Sequence, residues 1–162
     1  MRCGRIDGAD DAPLTRFAEA AKAAGIDITV SKTINLDLWK KFVFLVALSG
    51  ATASTRQPLG AIRADADMRA LMIDLMREVI AVGRASGAAI ADKFLDDQIK
   101  FMDAAPFDFK ASMAHDLERG NRLELDWLAG KVREFGRALN IPTPASDTVY
   151  TVLKLHRLGT PR

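Results

Sequence analysis

The sequence predicts a mainly α protein of several helices, preceded by a short strand–helix–strand segment. Two observations carry the helices. From about residue 36 onward apolar residues recur at helical spacing, and each such run is bounded by a capping or stop residue. A third observation carries the front end: Ile26-Asp27-Ile28-Thr29-Val30 alternates apolar and polar residues, the period of a half-buried strand.

Taken in order, a short strand fits within residues 1–6. Asp11-Ala12-Pro13 then leads an alanine-rich helix over 14–24, with Pro13 near its first position and Gly25 as its stop. Residues 36–54 are apolar nearly all round, the pattern of a helix in the middle of a bundle. Gln57-Pro58-Leu59-Gly60 reads as a turn, and Asp67 as the cap of a long amphipathic helix that Gly87 ends. Further helices are predicted over 92–105, stopped by Pro106; over 109–119, closed by Gly120; and over 125–139, with Asn140 as its stop. Pro142 and Pro144 prevent continuation, and Ser146 caps a last helix carrying Val149, Val152 and Leu153.

Composition bounds the function. The 162 residues are the size of one ordinary domain, and 49% hydrophobic content supplies a real core. Lys+Arg 23 against Asp+Glu 21 leaves +2, so no strong field points to nucleic acid, and no short basic helix follows a glycine turn as a helix-turn-helix would need. The single Cys3 excludes an internal disulfide framework and fits a reducing compartment. The longest apolar run, 42–50, is far short of the roughly 20 residues a membrane span needs, and no apolar stretch follows Arg2 and Arg5 as in a signal peptide. A soluble, cytoplasmic protein without a membrane or nucleic-acid partner is expected.

Neither phosphate-binding glycine loop is present, nor a G-x-S-x-G elbow, nor H-E-x-x-H. Two polar features remain. Lys40-Lys41 follows Trp39 inside the most apolar helix, and adjacent residues point about 100° apart, so the lysines cannot share one environment. The plain reading is that both reach solvent past the apolar surface. The functional one sets Lys41 in a cleft as a proton donor, its pKa lowered from about 10.4 by desolvation. On its face, Leu45 and Ser49 follow at helical spacing. The second feature is Ser112-Met113-Ala114-His115-Asp116 with Glu124 beyond. A solvated face and a first-turn carboxylate favoured by the helix dipole account for it fully, and His115 reads as a surface or satisfied histidine, not a ligand or base.

In combination these residues have a resemblance. Leu38-Trp39-Lys40-Lys41, Pro58-Leu59-Gly60, Ser112-Met113-x-x-Asp116, Glu124-Leu125-Asp126 with Gly130, and Ile141-Pro142-Thr143-Pro144, in that order, resemble the C-terminal domain of ketopantoate reductases (2-dehydropantoate 2-reductases) over roughly residues 35–156. The resemblance implies a multi-helix domain of the 6-phosphogluconate dehydrogenase-like type over 35–162. Residues 1–34 would then be the last strand, helix and strand of a Rossmann nucleotide-binding domain whose glycine-rich loop lies upstream. It implies an oxidoreductase of pantothenate biosynthesis type in which NADPH, held mostly by that other domain, reduces a small 2-oxo acid. Lys41 matches the lysine that acts as general acid. Glu124 matches the glutamate that holds the lysine and the substrate hydroxyl, and Ser112 a serine that binds the substrate.

The departures are as informative. The family's two asparagines one and two turns past the lysine are Leu45 and Ser49 here, the asparagine of its Pro-Asn-Gly turn is Leu59, and another before the serine is Phe109. Losing those amides removes hydrogen bonds of about 0.5–1.5 kcal/mol net each. The proton chemistry is kept while the pocket turns apolar, which implies a more hydrophobic 2-oxo acid or ketone, or a loss of activity. A reading from another class also stands: the amphipathic helices and six methionines suit a homodimer or ligand-binding module without catalysis.

Overall fold

A computed structural model describes residues 1–160; the last two residues of the helical segment expected over 35–162 lie outside the described ones. The chain divides into two compact units, Met1–Lys40 and the residues from Lys41 onward.

In the first unit, β1 (Arg2–Cys3) and β2 (Thr29–Val30) pair in parallel, Arg2 opposite Thr29 and Cys3 opposite Val30, with α1 (Ala12–Ala23) between them in sequence. Parallel neighbours need such a crossover. Asp11 caps α1 by accepting from the Leu14 amide at 2.9 Å, so the helix begins before Leu14 and carries Pro13 in its first turn. Ala18, Ala21 and Ile28 are buried together, with Cys3 packed on them. The strand is shorter than its alternation predicts. Ile26 gives its amide to Ala21 O and Gly25 (φ +82°) gives its own to Lys22 O, so residue 26 belongs to the helix end and not to the sheet.

The second unit holds α2 (Ile34–Thr55) from Lys41 on, α3 (Leu59–Ala64), α4 (Ala66–Ala85), α5 (Phe94–Ala104), α6 (Ser112–Glu118), a 3-10 turn at Glu124–Asp126, α7 (Ala129–Leu139), α8 (Pro144–Leu153) and a closing 3-10 turn at Lys154–His156. The mainly helical prediction holds. Val46 to Ala53 of α2 are all buried, as an all-round apolar helix requires. At Gly50 a Cβ would lie 3.2 Å from Val149 and 3.4 Å from Leu75, so α4 and α8 meet α2 there. Met72, Leu75, Met76, Val79, Leu125, Val132 and Val149 complete this core.

Several boundaries in this unit differ from the sequence prediction. Pro58-Leu59-Gly60 does not merely turn the chain but opens α3, whose first amides, Leu59 N and Gly60 N, are taken by Phe109 O (2.9 Å) and Phe107 O (2.8 Å). Those carbonyls being engaged, α6 starts at Ser112 and not at 109. Asp65, not Asp67, caps α4, accepting from Met68 N at 2.9 Å. Thr143, not Ser146, precedes α8. The helix predicted over 125–139 is split, because Leu125 and Leu128 are both buried and a 3-10 turn stacks residues three apart. Asn140 does end α7 as predicted, in the left-handed region at φ +55°.

Candidate active site

One broad face of α2 carries Lys41, Leu45, Ser49 and Thr52, because steps of four, eight and eleven residues keep the side chains within about 80° of one another. This face closes along its length: Lys41 is exposed, Leu45 half-buried, and Ser49 only 1% exposed. At the closed end Thr52 Oγ1 donates to Leu48 O at 2.7 Å and accepts from Ala111 N at 3.4 Å. That bond fixes the residue just before Ser112 to the face that begins with Lys41. Alongside, Phe101 of α5 meets Phe44 edge to face with ring centroids 4.8 Å apart.

The loop entering α6 is tied to the start of α3 through the carbonyls of Phe107 and Phe109. Gly60 is needed there, since a Cβ would lie 2.0 Å from the Phe107 ring. Leu59 is 0% exposed and fills the core, whereas Phe107 and Phe109 are exposed. The apolar change at 59 therefore belongs to packing, and that at 109 to the surface.

Ser112 opens α6, exposed, and its hydroxyl has no partner among the described residues. Asp116, one turn on, is engaged: its carboxylate accepts from Asn121 Nδ2 at 3.1 Å and its carbonyl from Asn121 N at 2.8 Å. This closes the turn through Gly120 (φ +68°) that leads toward Glu124. Lys110 holds the Glu118 carboxyl below the usual carboxylate range, with a smaller effect from His115, whose Nδ1 lies 3.6 Å away. His115 is thus the surface histidine the sequence suggests.

Glu124 begins the 3-10 turn. Its carbonyl accepts from Trp127 N (3.0 Å) and Leu128 N (3.1 Å), while its exposed carboxylate has no partner among the described residues. The residues around it are all held. Leu123 N donates to Arg157 O at 3.0 Å, Leu125 is fully buried, and Tyr150 Oη donates to Asp126 Oδ1 at 2.8 Å. The Asp126 carboxylate raises the Tyr150 phenol above its ordinary value, and burial acts in the same direction. Arg133 lies over the Tyr150 ring, its guanidinium carbon 4.1 Å from the centroid, and bonds Asp147. Asp126, Gly130, Arg133, Glu134, Arg137 and Tyr150 line an open cleft of about 480 Å³ there.

The structure therefore aligns Lys41, Leu45 and Ser49 on one face and fixes Ser112 beside its closed end. It does not join Glu124 to Lys41: no hydrogen bond or ion pair links them among the described residues. Lys41 likewise has no carboxylate partner there. Among the described residues no group of three His, Cys, Asp or Glu could hold a metal ion. No described helix is long and apolar enough to cross a membrane.

Sequence reasoning missed Glu78. It is 8% exposed on α4, and its carboxylate accepts from Ala145 N (2.6 Å), Ser146 N (2.8 Å) and Ser146 Oγ (2.6 Å). A side chain from α4 thus caps α8, which is why Ser146 lies inside that helix. The signal was available: Glu78 sits between Leu75 and Val82 on the apolar face of α4, where a charge must find donors.

Residues 33–157 match the family described as Ketopantoate reductase PanE/ApbA C terminal. The chain belongs to that family. It is 32% identical over 151 residues to a 2-dehydropantoate 2-reductase of Mesorhizobium japonicum, covering 93% of this chain and 46% of that protein. It is 28% identical over 153 residues to the uncharacterized oxidoreductase YkpB of Bacillus subtilis, covering 94% and 50%. The crystal structure of a 2-dehydropantoate 2-reductase from Geobacter metallireducens superposes with a TM-score of 0.83 at 29% identity, covering 95% of this chain and 52% of that one. The chain spans about half the length of these relatives.

Proposed function

We propose that this chain is the substrate-binding, proton-donating half of an NADPH-dependent reductase of 2-oxo acids or related ketones. One observation carries the reading. Of the polar residues in the family-like motifs, Asp116 and Asp126 are engaged in holding the fold, while Lys41, Ser112 and Glu124 are exposed with no partner among the described residues. Side chains that the fold leaves open are those available to a ligand.

In this reading Lys41 Nζ gives a proton to the carbonyl oxygen as the carbon is reduced, and the ammonium stabilises the alkoxide that develops. Glu124 accepts from the lysine and from a substrate hydroxyl, orienting both, and Ser112 hydrogen-bonds the substrate. Leu45 supplies an apolar wall and Ser49 the floor beneath it, which favours a substrate with an apolar side chain. NADPH, when bound, supplies the hydride. None of the eight described α-helices is entered from a glycine-rich phosphate loop, so the phosphates would be held elsewhere. Residues 1–34 form the end of that nucleotide-binding domain and 35–162 the helical one; the parallel β1–α1–β2 unit supports the assignment. The chain by itself is accordingly expected to show no micromolar NADPH binding in a fluorescence titration.

The test is Lys41→Ala in the full-length protein that carries this chain. Turnover of the best 2-oxo acid should fall about 10²- to 10⁴-fold, as for a lost general acid. Unchanged turnover removes the role. A second reading, a homodimer, rests on its own observation. Phe135 and Leu139 are exposed one turn apart on α7, and Trp127, just before that helix, is 64% exposed, with Lys131 Nζ 5.7 Å over the Trp127 ring and 5.9 Å over Phe135. Light scattering that gives the monomer mass at every concentration would dismiss it.

A further inference from the structure

The turn that carries Glu124 is moored at both ends by groups that the proposed chemistry does not use. Before it, Leu123 N donates to the carbonyl of Arg157, beyond α8. After it, Asp126 accepts the Tyr150 hydroxyl of α8 on one oxygen and faces Arg157 Nε at 3.9 Å with the other. In its middle Leu125 is fully buried. Gly130 makes the approach of Tyr150 feasible: a Cβ there would lie 3.1 Å from Leu125 O and 3.2 Å from Tyr150 Cε2. The Tyr150 ring is itself fixed by the Arg133 guanidinium stacked on it, which Asp147 holds in place.

Within residues 123–126 Glu124 is the one whose side chain is exposed and has no partner among the described residues. An exposed carboxylate with no partner of its own is oriented only by its backbone. The direction it can take therefore depends on what fixes residues 123–126. A neutral phenol donating to a carboxylate is a charge-assisted bond, stronger than a neutral pair. Tyr150 and Asp126 supply that bond directly beside the residue in question.

We infer that Tyr150, acting through Asp126, is a positioning residue for Glu124: it locks the 3-10 turn so that the glutamate is presented in one direction. This inference rests on the proposed reductase reading for its catalytic consequence, but the mooring itself is a property of this chain alone.

Two measurements test it. On the isolated chain, hydrogen exchange of the Leu123, Trp127 and Leu128 amides, whose acceptors are Arg157 O and Glu124 O, should accelerate about 10-fold or more in Tyr150→Phe, while amides in the middle of α4 keep their rates. Unchanged exchange at those three amides overturns the inference. In the full-length protein, Tyr150→Phe should lower kcat about 10-fold, since small misplacements of an orienting group are costly, and should do so in a wild-type background only. With Glu124→Ala already present, the same change should leave kcat within about 2-fold. An equal loss in both backgrounds marks a merely structural role and overturns the inference. Asp126→Asn, which keeps an oxygen for Tyr150, should retain more activity than Asp126→Ala; equal loss in the two contradicts the route through that oxygen. Lys41→Ala run in parallel separates the failures: if it leaves turnover intact the reductase reading fails, and the exchange experiment decides the mooring.

Discussion

Glu78 and Glu124 stand in two regions of the same helical unit and are treated oppositely by it. Glu78 is buried on α4 and receives three donors from the start of α8. Glu124 is exposed on a tightly held turn and receives none among the described residues. Burial sorts the two carboxylates. A buried one must be fully hydrogen-bonded, and here the α8 N-terminus supplies the donors and the favourable end of its dipole. An open one on a rigid support is free to meet a group outside the fold, which is the role proposed for Glu124. Lys41 and Ser112 fall with Glu124, and Thr52, Asp116 and Asp126 with Glu78.

The comparison can be broken most easily where it predicts the largest loss. Glu78→Ala leaves Ala145 N, Ser146 N and the Ser146 hydroxyl buried without an acceptor, and should destabilise the protein by about 3 kcal/mol in denaturant melts. A loss under about 1 kcal/mol would mean that water replaces the carboxylate. Next comes Asp65→Ala, which removes the α4 cap and should cost about 1 kcal/mol. Ser112→Ala sits at the other pole: its hydroxyl holds nothing in the fold, so stability should stay within about 0.5 kcal/mol while substrate affinity falls. A subtler effect sharpens the picture through pH. The Tyr150 phenol is raised in the folded state, so its contribution is present in full below the usual phenol value of about 10 and is lost as pH rises through the folded value. The stability gap between wild type and Tyr150→Phe should therefore be larger at about pH 8 than at about pH 11. A gap that widens toward alkali would contradict the Asp126 bond.

Much of this was legible in the sequence, and the rest had identifiable physical reasons for being hidden. The helices followed from apolar periodicity, and Asn140 and Gly120 announced their stops. Boundaries failed where a distant group did the capping: Phe107 and Phe109 carbonyls at α3, and Glu78 at α8. Local sequence carries no record of such long-range donors and acceptors. The candidate site residues Lys41, Ser112 and Glu124 rest on the family resemblance; spacing alone reads Lys41 as an ordinary solvated lysine. Which carboxylates were already committed could be learned only from the fold. Asp116 and Asp126 look as available as Glu124 along the chain, and Asn121 and Tyr150 are what withdraw them.

The most direct test sets the two glutamates against each other in one protein. Glu78→Gln and Glu124→Gln would each be measured for thermal midpoint and for NADPH-dependent turnover in the full-length protein. Glu124→Gln should lose about 100-fold or more in kcat/KM with its midpoint unchanged. Glu78→Gln should lower the midpoint by several degrees and leave turnover at permissive temperature intact. A midpoint that falls as far in Glu124→Gln as in Glu78→Gln, or turnover that survives the Glu124 change, would contradict these roles.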